Sequence, residues 1–133
     1  MASLDTTILV RYLVQDDGRQ FALAEKLIQA ALRAGQKLYV PITVMLELEE
    51  VLRSNFGFGK DQIINAMASL LASVELSFES EAAAEVALAL YQRNKADFAD
   101  CVHVALSHVA GESPLWTFGR AASKLDGARM LAA

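Results

Sequence analysis

The chain has 133 residues, 54% hydrophobic and 21% charged, enough to bury one core and too apolar for a disordered segment. Its net charge of -4 argues against holding nucleic acid through a general basic field, though not against nucleic acid as a substrate. The lone Cys101 excludes an internal disulfide, no apolar run is long enough to cross a bilayer, and Met1-Ala2-Ser3-Leu4-Asp5 lacks the basic start of a signal peptide, so a cytoplasmic protein without membrane association is expected.

Neither repeats nor a low-complexity linker interrupt the sequence, and residues 1–133 read as one domain. A short strand ends near Leu4 and a helix starts at about Thr6. Asp16-Asp17-Gly18 is a turn. A second helix follows to about Ala34, with Leu23, Ala24, Leu27, Ile28 and Ala31 at helical spacing, and Gly35 ends it. Lys37 to Val40 is a strand. Pro41 then leads into a helix with Val44, Leu48, Val51 and Leu52 on one face. Asn55-Phe56-Gly57-Phe58-Gly59 breaks that pattern.

From about Asp61 a strongly periodic helix carries Ile63, Ile64, Met67, Leu70, Leu71 and Val74. A strand near Glu75 to Phe78 precedes a helix with Ala83, Val86, Ala87, Leu90 and Tyr91. The next helix spans about Phe98 to Ala110 and stops at Gly111. Leu115-Trp116-Thr117 is a strand, Ala121 to Lys124 a helical turn and Met130-Leu131 a last strand. Such alternation predicts an α/β fold, a parallel sheet with helices on both faces, with two helices in some connections.

Three phrases place acids at chosen positions. Asp5 closes the first strand, where it either caps the next helix or serves as a metal-binding carboxylate at a strand end. Glu47 falls beside Val44, Leu48 and Val51 at the ideal pitch, while Glu49 and Arg53 point away from that stripe. An acid flanking a buried face needs a salt bridge, water or a metal. Asp97 and Asp100 sit at a helix start, where they could form a capping pair or line a site; Asp100 shares a narrow polar stripe with His103 and Ser107.

Other chemistry is poorly supported. His103 and His108 are five apart, off the spacing that stacks ligands on a helix face. Cys101 and Trp116 read as packing residues. There is no nucleotide fingerprint and no Ser nucleophile elbow. Asp5-Thr6-Thr7 after a strand suggests an aspartate phosphotransferase, but the second nearby acid is missing. Arg11, Arg53, Lys60, Arg120 and Lys124 are the cations whose chemistry suits holding a nucleic-acid strand.

Four phrases in order carry a family resemblance: Leu4-Asp5-Thr6, then Leu46-Glu47-Leu48 with Val51-Leu52-Arg53, then Ala96-Asp97-Phe98-Ala99-Asp100, then Thr117-Phe118. Over nearly its whole length the chain resembles PIN-domain proteins, in particular the VapC-type toxins of bacterial and archaeal toxin–antitoxin pairs. The resemblance implies a three-layer α/β/α sandwich around a mainly parallel sheet of about five short strands. It implies an endoribonuclease that uses Mg²⁺ or Mn²⁺, with Asp5, Glu47 and Asp100 as catalytic and metal-binding acids and Asp97 as a further ligand. Thr6 and Thr117 are auxiliary. RNA is the implied substrate, a VapB-like antitoxin the implied partner, and the apolar helix faces suit a homodimer.

Two positions depart from the family pattern. Thr7 stands where Asn is usual, and its hydroxyl can supply some of the same hydrogen bonding. Gly119 stands where a further acid is usual and has no side chain to ligate with. That change motivates a second expectation, a PIN-like module that binds antitoxin or RNA without turnover.

Overall fold

The alternation read from the sequence is present in the computed structural model, which describes residues 2–132. Its elements fall into two compact units, Met1–Glu79 and Ser80–Ala133.

The first unit runs β1 (Ala2–Ser3), α1 (Thr6–Val14), α2 (Gly18–Arg33), β2 (Leu38–Val40), α3 (Ile42–Ser54), α4 (Lys60–Ala72) and β3 (Leu76–Phe78). Its strands form a parallel sheet in the order β1-β2-β3, with Ala2 opposite Leu38 and Leu38 opposite Leu76. A parallel step needs a long crossover, and each one here is a helix pair. Leu4, Leu9, Val40, Leu48, Leu52, Ile63 and Met67 are buried in the core.

Local chemistry sets the helix ends. The Asp17 carboxylate accepts from the Gln20 amide at 3.0 Å and starts α2. Gly35, at φ +67°, ends it in the left-handed conformation, and the Gln36 amide donates back to the Ala31 carbonyl at 2.9 Å. α3 begins at Pro41, which offers no side-chain cap; instead Glu79 Oε1 accepts from the Ile42 amide at 3.0 Å. An acid just beyond β3 thus satisfies an open donor just beyond β2.

The second unit contains α5 (Glu81–Arg93), α6 (Phe98–Val109), β4 (Leu115–Thr117), a 3₁₀ turn (Ala122–Lys124) and β5 (Ala128–Met130). Ser80 Oγ caps α5 by accepting from the Ala83 amide at 3.3 Å. The small residues Ala83, Ala84 and Ala87 of α5 are buried, as are Cys101, Val102, Val104 and Ala105 of α6. Tyr91 and Phe98 meet edge to face with centroids 5.2 Å apart. β4 and β5 pair in parallel, Leu115 opposite Ala128. Gly127 precedes β5 at φ +99°, and a Cβ there would lie 3.1 Å from Val104 Cγ1, so any other residue would strain the turn.

The α/β class and the parallel pairing are as expected. Among the described residues, however, the five strands hydrogen-bond as a three-stranded and a two-stranded sheet, one in each unit, not as one central sheet. At two or three residues each, they support only short ladders. Among the described residues no helix is long and apolar enough to cross a membrane.

Several side-chain assignments change. Leu23 and Leu27 of α2 are 60% and 42% exposed, because α2 buries only the narrower Ala24, Ile28 and Ala31 stripe. Val74 lies past the end of α4 and is exposed, and so is Val86. Trp116 is 54% exposed, with the Arg129 guanidinium 5.7 Å from its ring centre. On α3 it is Glu49, at 5% exposure, that is buried, while Glu47 is exposed.

Candidate functional site

In the first unit the chain turns sharply from β1 into α1, and Asp5 occupies the turn. Its φ and ψ are extended and its carboxylate caps α1, Oδ1 accepting from the Thr6 amide at 2.7 Å. Thr6, the first residue of α1, is buried, and its hydroxyl donates to Glu47 Oε1 at 3.3 Å. One buried threonine therefore holds two carboxylates that lie 42 positions apart, by its amide on one side and its hydroxyl on the other. In each carboxylate the second oxygen is uncommitted among the described residues. The capping reading of Asp5 is therefore borne out.

Glu49 explains why Glu47 is free to face outward. The buried side of α3 is Val44, Met45, Leu48, Glu49 and Leu52, rotated from the stripe through Val51. Glu49 tolerates that position because Arg53, one turn on, donates to it at 2.9 Å.

In the second unit Asp97 is the N-terminal flanking residue of α6, but its side chain makes no capping bond. Asp100 lies in the first turn and is half-buried. Among the described residues neither carboxylate has a hydrogen bond or ion pair, so the capping pair expected from the spacing is not formed. Asp100 and Ser107 are half-buried and His103 is exposed, as the polar stripe predicted. Thr117 ends β4, and its Oγ1 accepts from the Gly119 amide at 2.9 Å. A Cβ at Gly119 would sit 3.3 Å from that oxygen and 3.5 Å from Ala122 Cβ, close but without a left-handed backbone to forbid it.

Asp5 and Glu47 share Thr6 in the first unit, and Asp97 and Asp100 lie three residues apart at the start of α6 in the second. Among the described residues no three His, Cys, Asp or Glu side chains form a metal-holding group. The donors present are nevertheless all hard oxygens, and Asp5 and Glu47 are set close around Thr6. One or two carboxylates with water completing the shell is how Mg²⁺ is commonly held, so the first-unit pair fits such an ion without a closed cage.

Of the cations named from the sequence, Arg11 is tied to Asp16 at 3.3 Å and to Gln20 at 2.6 Å. Arg53 is tied to Glu49 at 2.9 Å. Arg120 and Lys124 instead line a cavity of about 470 Å³ in the second unit with Arg93, Asn94, Lys95 and Ala121. Sequence reading missed Arg93 and Lys95, whose separation of more than twenty residues from Arg120 gives no periodic signal. It also missed Glu79, whose engagement by the Ile42 amide marks it as structural.

Comparison with known proteins identifies the family. A protein named VapC ribonuclease, from Aquifex aeolicus (strain VF5), is 26% identical over 125 residues, covering 94% of this chain and 92% of that protein. No solved structure is a significant match. The family model described as PIN domain matches residues 2–128, a span that takes in Asp5, Glu47, Asp97, Asp100 and Thr117 and all five strands but the last two residues of β5. The chain belongs to the PIN domain family.

Proposed function

We propose that the chain is a divalent-metal-dependent endoribonuclease, the toxin of a toxin–antitoxin pair acting in the cytoplasm, and that residues 1–133 work as a single PIN domain. The observation that carries this reading is the Thr6 clamp, which holds Asp5 and Glu47 with an oxygen of each uncommitted. The similarity to a VapC ribonuclease supports it.

Asp5 and Glu47 would hold Mg²⁺ or Mn²⁺, and Asp97 and Asp100 are the further acids of the reaction. When bound, the ion supplies a Lewis acid for the scissile phosphate and lowers the pKa of an attacking water. Thr6 fixes the rotamers of both first-unit acids, so they are in place before substrate arrives. Asp97 flanks the start of α6 and Asp100 lies in its first turn, so both acids sit at the N-terminal end of that helix. Thr117 shapes the turn at Gly119 through its hydroxyl.

The test is cleavage of structured RNA by the purified chain with Mg²⁺ or Mn²⁺. Asp5→Asn and Asp100→Asn should each lower the rate more than about 100-fold, beyond the loss typical of an outer-shell partner, and EDTA should abolish cleavage. Cleavage unchanged in both variants would sink the proposal.

Gly119 favours a second reading, a module that binds without turnover. Folded wild-type protein that binds RNA but never cleaves it in the presence of either ion would establish that alternative.

A homodimer and an antitoxin complex belong to the same proposal. Leu23 and Leu27 stay exposed along a cavity of about 470 Å³ lined also by Thr7, Ile8, Arg11, Gln20 and Ala24. Such apolar surface favours a partner. Light scattering after size exclusion should give twice the monomer mass, and a monomer throughout the micromolar range would remove the dimer.

A further inference from the structure

The second unit collects positive charge in one place. Arg93 ends α5, Lys95 lies in the turn that leads to α6, Arg120 shortly precedes the 3₁₀ turn after β4, and Lys124 ends that turn. All four line one cavity, and no acid does. They are four of the chain's twelve Lys and Arg residues, in a protein with sixteen Asp and Glu. Among the described residues none of the four makes an ion pair. Like charges gathered without counter-ions repel, so the arrangement is most stable when an anion enters it.

The cavity's frame is held in place. The Asn94 side-chain amide donates to the Leu90 carbonyl at 2.9 Å and ties the turn to α5. The Ser123 hydroxyl donates to the Arg120 carbonyl at 2.7 Å, and the Ser123 amide to the Gly119 carbonyl at 2.9 Å, which closes the other wall. The cationic side chains are exposed and the backbone beneath them is anchored, as suits a polyanion more than a small ion. Each wall also continues into a segment that carries the proposed chemistry. Lys95 is two residues before Asp97, and Arg120 is three after Thr117.

We infer that Arg93, Lys95, Arg120 and Lys124 form a cleft that holds the phosphodiester backbone of the RNA substrate. The ribonuclease reading supplies the identity of the ligand, and the inference rests on it. Arginine forks and lysine point charges bind phosphate without reading base identity, so the cleft positions the strand and leaves sequence choice to other contacts.

The experiment is fluorescence anisotropy of a labelled single-stranded RNA with the full chain in EDTA, across a salt series. Arg120→Gln/Lys124→Gln should weaken binding at least about 10-fold. It should also make the salt dependence shallower by about 1.4, at roughly 0.7 for each lost contact to a single strand. Arg93→Gln/Lys95→Gln should behave alike, while Arg19→Gln/Lys26→Gln on α2 should stay within about 2-fold of wild type. Circular dichroism confirms that each variant is folded.

Wild-type affinity and salt slope in both cleft variants, or no RNA binding by wild type, would overturn the inference. So would polyglutamate displacing the label as well as unlabelled RNA does, which would assign the cleft to an acidic protein segment. Cleft-dependent binding without cleavage then sinks only the ribonuclease reading, and cleavage with unaltered binding in the cleft variants sinks only this one.

Discussion

The two units treat charge differently. In the first, several charged side chains at helix starts and along helices serve structure: Asp5 caps α1, Asp17 caps α2, Glu79 accepts from the first amide of α3, Arg11 meets Asp16, and Arg53 meets Glu49. In the second, among the described residues, Asp97, Asp100, Arg93, Lys95, Arg120 and Lys124 make no ion pair. Helix starts show the same contrast. Asp5 and Asp97 are both the flanking acid of a helix, yet only Asp5 makes a capping bond. An acid at a helix start is therefore not by itself a cap, and the one that does not cap keeps both oxygens for other work.

This contrast can be sharpened by substitution. Thr6→Val keeps the shape of the side chain but removes the donor to Glu47. It should lower metal-dependent cleavage about 10-fold, at the low end for an outer-shell partner, while stability changes by less than about 1.5 kcal/mol. Cleavage at the wild-type rate would mean that Glu47 needs no clamp.

A smaller effect separates the two caps. Asp5→Ala should cost about 1 kcal/mol, read as a fall in Tm of roughly 4 °C. Asp97→Ala should leave Tm within about 2 °C of wild type, since no capping bond is lost. Equal losses at the two positions would erase the distinction between the units.

Helix positions were legible in the sequence because apolar spacing and turn residues report directly on local structure. The ends at Gly35 and Gly111 were legible for the same reason, both glycines adopting positive φ. Which apolar residues face the core was less legible. Leu23, Leu27 and Ile28 all satisfy helical periodicity, but only Ile28 of the three is buried. On α3 the projection put Glu49 outside, because it took the stripe through Val51 as the buried one; the buried side is rotated towards Met45 and Glu49, and Arg53 compensates the acid from one turn away. The acids of the candidate site could be named from short phrases. The Thr6 clamp and the basic cleft could not, since each depends on contacts between residues far apart in the chain.

The free carboxylate of Asp97 has a practical consequence. Alanine at Asp5 would remove a cap together with a proposed metal ligand, so stability would fall along with activity. Alanine at Asp97, a proposed further acid of the reaction, would leave the structural bonds of the described residues in place. That chain would persist as an inert decoy, still able to occupy whatever binds the native protein and to titrate it away from active copies.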